Sequence, residues 1–159
     1  MAWNVYLAGE IHSDWREQIA TGAEQAGLEV SFSSPVTDHS ASDDVGVAIL
    51  GDEGDSFWKD HKGAGVNAIR TQTLIRQADV VVVRFGDKYK QWNAAFDAGT
   101  AAALGKALIT LHDPALTHAL KEVDGAALAV CETPQQVVQT LAYVITGALP
   151  GRRSSLAAE

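Results

Sequence analysis

Two short segments of this sequence contain several polar and charged side chains, directly after runs of apolar residues. The first, residues 8–13, contains Gly9 followed by Glu10, His12 and Ser13. It lies directly before a stretch typical of a helix, and a helix N-terminus offers unpaired N–H groups and a partial positive charge to an anion. A carboxylate, an imidazole and a hydroxyl at such a turn can bind a polar ligand or exchange a proton with it. We therefore predict that Gly9, Glu10 and His12 belong to a site.

The second segment, residues 85–93, holds two aromatic residues, two lysines, an aspartate and two amides. The rings of Tyr89 and Trp92 offer flat faces that can stack on a base or a sugar. Each ring taken alone could equally pack under a loop at the sheet edge. The cluster as a whole, with Asp87 and Asn93 beside the rings, favours a ligand site.

Asp97 is the strongest single candidate for a functional residue, because the residues around it on a predicted helix at 93–104 are small or apolar. Burying an isolated carboxylate is very costly, so Asp97 must be solvated, paired or directed into a cleft. A favourable interaction with the positive end of the helix is the alternative explanation. We favour a functional role.

Apolar, β-branched runs predict the elements that position these residues. Strands are expected at 4–7, 29–32, 80–84, 107–111 and 127–130. Four consecutive valines from residue 80 are typical of a central parallel strand that is covered on both faces. Helices are expected at 14–26, 67–78, 93–104 and 134–146, and residues 33–66 as a long loop with a short helix at 45–50.

Alternating strands and helices predict an α/β fold with right-handed crossovers. We expect a three-layer, doubly wound parallel sheet of about five strands, flavodoxin/Rossmann-like, with the order 2-1-3-4-5. One domain covers residues 3–146, and 147–159 form a flexible C-terminal tail. Ligands of such sheets bind beyond the carboxyl ends of the strands where the strand order reverses, here between strands one and three. Residues 8–13 and 85–93 follow those two strands.

Composition excludes several classes of function. The formal net charge of −8 argues against a nucleic-acid partner. No apolar run approaches the ~20 residues that span a bilayer. Residues 1–12 lack the features of a secretory signal and Cys131 is the lone cysteine, so we expect a cytoplasmic protein.

Cofactor motifs are missing as well. The sequence has no P-loop, and the turn at Gly9 lacks the G-x-G-x-x-G pattern of dinucleotide-binding proteins. His12, His39 and His61 do not have a recognisable metal-ligand spacing. We therefore expect no cofactor and no metal.

Longer motifs resemble the YtoQ family: VYLAGEIHS at 5–13, NAIRT at 67–71, FGDKYKQWN at 85–93, FDAG at 96–99 and HALKE at 118–122. The resemblance extends from about residue 3 to residue 145. The family is similar in turn to the nucleoside 2-deoxyribosyltransferase superfamily. That similarity implies a flavodoxin-like fold, a nucleoside or nucleotide as ligand, and a homodimer or larger homo-oligomer.

The resemblance also implies residue roles. In the superfamily a first-strand tyrosine, followed by a small residue and glycine, supports a nucleophilic glutamate in an acid-x-Gly pattern, with Gly-Lys further on. Tyr6 and the Ala-Gly pair at 8–9 match the first element. Asp-Ala-Gly at 97–99 with Gly-Lys at 105–106 matches the second, so Asp97 occupies the position of the nucleophile.

These roles imply an enzyme that acts on an N-glycosidic bond. Asp97 attacks the anomeric carbon, Tyr6 orients it, and Glu10 or Asp87 protonates the departing base. Substrate contacts are expected from Gly9, His12, Arg70, Tyr89, Trp92 and Asn93. The alternative is an inactive module that binds a nucleotide or nucleotide-sugar, favoured by aspartate instead of glutamate and by Asn-Ala at 93–94 where transferases have Gly-Ser or Gly-Thr. A third reading is a metal-dependent hydrolase that uses the acids and histidines of the 33–66 segment.

Overall fold

The computed structural model describes residues 2–88 and 91–151 and has the predicted alternation of strands and helices. The strands are β1 (Trp3–Gly9), β2 (Val30–Ser33), β3 (Val80–Arg84), β4 (Ala107–Leu111) and β5 (Ala129–Cys131). The helices are α1 (Trp15–Gln25), α2 (His39–Leu50), α3 (Ser56–Gln77), α4 (Trp92–Ala103), α5 (Thr117–Ala126) and α6 (Pro134–Thr146), with a 3₁₀ turn at Pro114–Leu116. All strand pairs are parallel, in the order β2-β1-β3-β4-β5, which confirms the predicted fold class.

Side chains of β1 alternate between the two faces of the sheet. Val5 and Leu7 belong to the core that packs against α1 and α6. Tyr6 and Ala8 belong to the second core, which α3 and α4 cover. Because side chains alternate strictly along a strand, this register directs the ring of Tyr6 to the face that carries α4 and therefore Asp97.

The prediction of a long loop at 33–66 is wrong, and the short helix expected at 45–50 is the second half of a longer helix. The segment instead contains α2 and the N-terminal half of α3, which form a helical hairpin. Each helix begins at an aspartate whose side chain accepts a backbone hydrogen bond: Asp38 from Ala41, and Asp55 from Phe57. Serine, aspartate and glycine disfavour a helix in isolation, and the packing between the two helices overrides that preference.

Two glycines set the distance between α2 and α3. A Cβ atom at Gly46 would lie 2.3 Å from the backbone nitrogen of Gly63, and one at Gly63 would lie 3.3 Å from the carbonyl oxygen of Asp43. Charged pairs close the hairpin, with Lys59 2.6 Å from Asp44 and Lys62 2.5 Å from Glu53. The hairpin is therefore a packed unit and not a loose connection.

The 22 residues of α3 extend about 33 Å, longer than the sheet that it covers. Its C-terminal part is anchored by Ile75, which is fully buried against the sheet. Its N-terminal part packs on α2. Within residues 2–88 and 91–151, no helix is both long and apolar enough to cross a membrane.

Replacing Gly46 by alanine is expected to destabilise the protein by about 1–3 kcal/mol, because the new methyl group would meet backbone atoms that cannot move aside. Gly65→Ala is the matched control: it also lies within a helix, and its added Cβ meets nothing within 4 Å. The control should be neutral or slightly stabilising. Urea denaturation of both variants measures the difference, and equal stabilities would contradict the close packing of α2 on α3.

Candidate active site

A cavity of about 720 Å³ opens beyond the carboxyl ends of β1 and β3. Its floor is the turn that follows β1, one wall is the first half of α4, and the opposite wall is the α2–α3 hairpin. The predicted site residues that line it are Gly9, Glu10, His12, Trp92, Asn93 and Asp97. Residues from two segments that are far apart in sequence are thus brought to one site, as the position of the switch point predicts.

Gly9 lets the turn after β1 contact the end of β3. Its φ is +98°, and a Cβ atom there would lie 2.1 Å from the carbonyl oxygen of Arg84. Glu10 N donates a hydrogen bond of 3.1 Å to the same oxygen. Any side chain at position 9 would force the two segments apart, so the floor of the cavity depends on glycine.

Arg16 holds this turn through hydrogen bonds to its backbone carbonyls, and nothing in the sequence identified it as a residue that supports the site. Its guanidinium donates to the carbonyl oxygens of Leu7 (3.0 Å), Gly9 (3.0 Å) and Glu10 (2.7 Å). The indole of Trp15 donates to the carbonyl of Glu10 as well, at 2.8 Å. Burial lowers the pKa of Arg16 to about 10, with the charge of Glu10 acting in the opposite direction. The carbonyls at the end of β1 are therefore held on the side away from the cavity.

The carboxylate of Glu10 is engaged by its own loop. It accepts hydrogen bonds from the backbone N–H of His12 and the hydroxyl of Ser13, and Nε of Arg84 lies 3.5 Å from it. Burial opposes ionisation of Glu10, but the bonds from Ser13 and His12 and the charge of Arg84 outweigh it and lower its pKa. At neutral pH this group is an acceptor, which does not suit the predicted proton donor.

Tyr6 is fully buried beneath the cavity, and its hydroxyl donates to Oγ1 of Thr71 at 3.5 Å. Burial raises its pKa to about 12; the bond to Thr71 lowers the pKa and the charge of Asp97 raises it. The phenol therefore stays protonated across the physiological range, close enough to sense the charge of Asp97.

Asp97 lines the cavity and lies on the first two turns of α4. Ala94 and Ala98 on the same helix are buried against the sheet, so the backbone of α4 lies close to it and the carboxylate is drawn partly inside. Among the described residues, none forms a hydrogen bond or an ion pair with Asp97. Burial raises its pKa from 3.8 to about 6. A partly buried carboxylate that faces a cavity without a protein partner is available to a ligand.

The start of α4 is attached to the preceding loop through Gln91. Its side-chain amide accepts from Gly86 N (2.9 Å) and donates to the carbonyl of Lys88 (2.9 Å). This arrangement presents Trp92 and Asn93 at the rim of the cavity, where Trp92 is 72% exposed. Tyr89 lies outside the described residues, so its predicted stacking role stays a prediction.

Besides Tyr6, which lies beneath the cavity, two predicted site residues do not line it. Asp87 is exposed on the loop after β3. Arg70 donates from Nε and Nη2 to the carbonyl oxygen of Ser34, at 3.3 and 3.2 Å. Its guanidinium therefore attaches α3 to the segment after β2, which accounts for its place in the NAIRT motif without a substrate.

The hairpin wall is the part of the site that sequence reasoning missed. His39 and Asp43 from α2 and Asp60 from α3 line it, and His39 pairs with Asp43 at 2.9 Å. Asn67 also lines the cavity and donates to the carbonyl of Ser42 at 2.9 Å, which joins the two helices. The capping aspartates Asp38 and Asp55 were the signals that could have identified these helices.

The described part of the chain contains no group of three or more histidine, cysteine or acidic side chains that could hold a metal ion. Asp43 and Asp60 stand at the hairpin wall and Asp97 on α4, and they do not form such a group. The geometry therefore gives no support to the reading of a metal-dependent hydrolase.

A five-stranded parallel sheet with this strand order, with a carboxylate-lined cavity at its switch point, defines a doubly wound α/β protein. The chain belongs to the family described as "Nucleoside 2-deoxyribosyltransferase YtoQ", which matches residues 6–145. It is 42% identical over 144 residues to the uncharacterized protein YtoQ of Bacillus subtilis (strain 168), covering 91% of this chain and 97% of that one.

Solved structures share the fold at low sequence identity. The 2-deoxyribosyltransferase of Bacillus psychrosaccharolyticus has a TM-score of 0.51 and 20% identity, covering 87% of this chain and 95% of its own. A conserved protein from Enterococcus faecalis V583 has a TM-score of 0.58 and 13% identity, over 89% and 98% of the two chains. A de novo designed Rossmann 2x3 fold protein has a TM-score of 0.50 and 12% identity, over 97% and 98%.

The raised pKa of Asp97 predicts a stability that depends on pH. Because the folded protein holds this proton more tightly than the unfolded chain, stability falls as pH rises from about 4 to about 6. Asp97→Asn removes that loss, so the variant should exceed the wild type in stability at pH 7.5 by about 1–3 kcal/mol and by much less at pH 4.

Chemical denaturation at the two pH values measures this difference. Asp97→Glu, which keeps a carboxyl group at the position, is the control, and its free energy of unfolding should still fall as the pH rises. An Asp97→Asn variant that is less stable than the wild type at pH 7.5 would contradict a carboxylate that is costly to bury.

Proposed function

We propose that this protein is an enzyme of nucleoside metabolism that cleaves an N-glycosidic bond through a covalent intermediate on Asp97. The observation that carries the proposal is the state of this carboxylate, which faces the cavity, is partly buried, and has no hydrogen-bond partner among the described residues. A carboxylate satisfied by protein groups would be held away from a substrate. The family match and the resemblance of Asp-Ala-Gly at 97–99 to the superfamily's nucleophile motif support the same assignment.

The reaction has two displacements at the anomeric carbon. In the first, one oxygen of Asp97 forms a bond to C1′ of the sugar while the C1′–N bond breaks. The electron pair of the broken C1′–N bond leaves with the base. A second base, or water, then attacks C1′ and releases Asp97. Two inversions return the original configuration, as in retaining glycoside chemistry.

Tyr6 acts beneath Asp97 as a neutral phenol. Its hydroxyl stays protonated because burial raises its pKa, and it lies near enough to respond to the charge of Asp97. Thr71 holds the hydroxyl from the other side. A protonated phenol in this position can orient the nucleophile and stabilise its charge without competing with it for a proton.

The proton for the departing base is assigned to solvent. The lowered pKa of Glu10 and its bonds to His12 and Ser13 make it an acceptor. Asp87 is exposed and does not line the cavity. Solvent reaches the cavity at its rim, where Trp92 is largely exposed.

Sugar and base have distinct surroundings in this proposal. The sugar lies over the turn at Gly9 between Asp97 and Asn93, and the base stacks on Trp92 and faces the hairpin wall. The polar side chains of that wall, with Asn67 and Gln72 on α3, supply hydrogen-bond partners for the edge of a base.

We further propose a cytoplasmic location, which the buried, unpaired thiol of Cys131 suits.

Incubation with a panel of nucleosides and nucleoside monophosphates, with and without an acceptor base, tests the function. We expect base release or exchange by the wild-type protein and a loss of at least about 100-fold in Asp97→Asn. Glu122→Gln, on the exposed side of α5, is the matched acid-to-amide control and should retain full activity. Ligand-induced thermal stabilisation without turnover would instead identify a binding module, and the absence of both would overturn the proposal.

Activity should also rise with pH as Asp97 ionises. With a pKa of about 6, only about a tenth of the carboxylate is charged at pH 5, so kcat/KM there should be roughly tenfold below its plateau above pH 7. A profile measured from pH 4.5 to 8 with the best substrate of the panel checks this. A rate that does not change between pH 5 and 7 would exclude Asp97 as the titrating nucleophile.

A further inference from the structure

The hairpin wall of the cavity presents mainly hydrogen-bond acceptors. Asp43 on α2 and Asp60 on α3 line it, and a carboxylate has only acceptor atoms. Both residues are exposed, so a ligand in the cavity can reach their oxygens. Lys88 also lines the cavity, but it belongs to the loop before α4 and not to the hairpin. A ligand that meets the hairpin wall must therefore supply donors.

Asn67 on α3 adds an acceptor whose orientation is fixed. Its Nδ2 donates to the carbonyl oxygen of Ser42 at 2.9 Å and to the hydroxyl of the same residue at 3.2 Å. Because a carbonyl oxygen can only accept, the amide cannot be turned around without losing this bond. None of the described residues donates to Oδ1 of Asn67. Since Asn67 lines the cavity, that oxygen remains for a ligand.

His39 on α2 contributes an acceptor for a similar reason. Its Nδ1 lies 2.9 Å from a carboxylate oxygen of Asp43, which can only accept, so the proton of the ring is on Nδ1. In the neutral ring Nε2 then carries a lone pair and accepts. The pairing of His39 with Asp43 thus adds to the acceptors of the wall.

Gln72 supplies a donor to the same cavity. Its Oε1 accepts from Nη2 of Arg76 at 3.4 Å, and because a guanidinium can only donate, the amide oxygen must be on that side. None of the described residues accepts from Nε2 of Gln72. The helix α3 therefore offers an acceptor at Asn67 and a donor at Gln72, and the carboxylates of the hairpin add acceptors.

On the basis of the function proposed above, we propose that the substrate is a nucleoside whose base carries an exocyclic amino group beside an unprotonated ring nitrogen. Adenine and cytosine have this pattern. The amino group donates to the acceptors of the hairpin wall, and the ring nitrogen accepts from the amide of Gln72.

Bases with an oxo group in place of the amino group do not match this wall. Hypoxanthine and uracil present a carbonyl oxygen and a ring N–H where adenine and cytosine present an amino group and a bare ring nitrogen. Their carbonyl oxygen would face acceptors and lose its hydrogen bond to water without a replacement. Because the wall is exposed to solvent, we expect discrimination of about tenfold, smaller than in fully buried sites.

NMR titration of isotope-labelled Asp97→Asn protein tests the proposal, since this variant lacks the proposed nucleophile and turnover does not alter the ligand. The probes are 2′-deoxyadenosine against 2′-deoxyinosine, and 2′-deoxycytidine against 2′-deoxyuridine. Each amino nucleoside should bind at least about tenfold more tightly than its oxo partner and should shift the side-chain amide signals of Asn67 and Gln72. Equal affinities, tighter binding of an oxo nucleoside, no binding of either amino nucleoside, or unchanged amide signals would overturn the proposal.

A second variant tests whether the hairpin wall is the source of the discrimination. Replacing Asp43 and Asp60 by asparagine in the same background should lower the affinity ratio at least threefold, because an amide can donate to an oxo group as well as accept. The matched control replaces Asp44 and Asp52 by asparagine. These two acids also belong to the hairpin but do not line the cavity, so the charge changes equally and the ratio should stay the same. A ratio that is unchanged in the first variant, or that falls equally in both, would overturn the proposal.

These outcomes are separable from those of the proposed function. Selective binding of amino nucleosides by a protein that releases no base would support the assignment of the substrate and overturn the catalytic proposal. Base release without a preference for amino nucleosides would do the reverse.

Discussion

The close approach of the backbone at Gly9 to the end of β3 is the constraint on which the site depends. A Cβ atom at this position would lie 2.1 Å from the carbonyl oxygen of Arg84, so the contact exists only because residue 9 is glycine. It brings together two loops separated by 75 residues of chain. Arg16 then donates hydrogen bonds to the carbonyls of the turn, and the carboxylate of Glu10 accepts from the N–H of His12 and the hydroxyl of Ser13. Once these bonds are made, the turn is a rigid floor for the cavity.

Small residues on α4 likewise permit a close approach, here between the helix and the sheet. Ala94, Ala98 and Ala101 let the helix lie against the sheet with little side-chain volume between them. That closeness draws Asp97 partly into the protein, and desolvation alone accounts for its raised pKa. The fold therefore opposes ionisation of a partly buried carboxylate that lines the cavity and that forms no hydrogen bond or ion pair with the described residues. The proposed role of Asp97 as a nucleophile and the stability of the protein place opposite demands on this position.

The α2–α3 hairpin gives the cavity its depth. The sheet and α4 alone would leave a shallow edge, open on one side. Packing at Gly46 and Gly63 and the bond from Asn67 to α2 hold the hairpin as a wall. The polar residues of the NAIRT motif have structural partners in this assembly: Asn67 joins the helices, Arg70 contacts the segment after β2, and Thr71 meets Tyr6. A motif that suggests substrate binding can thus owe its residue types to the architecture that surrounds the cavity.

The sequence by itself determined the sheet, its order and the two loops of the site, because buried parallel strands and their glycine turns leave strong local patterns. Tyr6, Gly9 and Asp97 were identified from their residue types and their family resemblance, and the cavity includes or adjoins all three. Only the tertiary structure decided that residues 39–44 and 56–66 are helical as well, since the stability of the hairpin comes from packing between its helices and not from local propensity. It also decided the states of Glu10 and Arg70, because Arg84 beside Glu10 and the carbonyl of Ser34 that Arg70 contacts are distant in sequence and no local pattern specifies them.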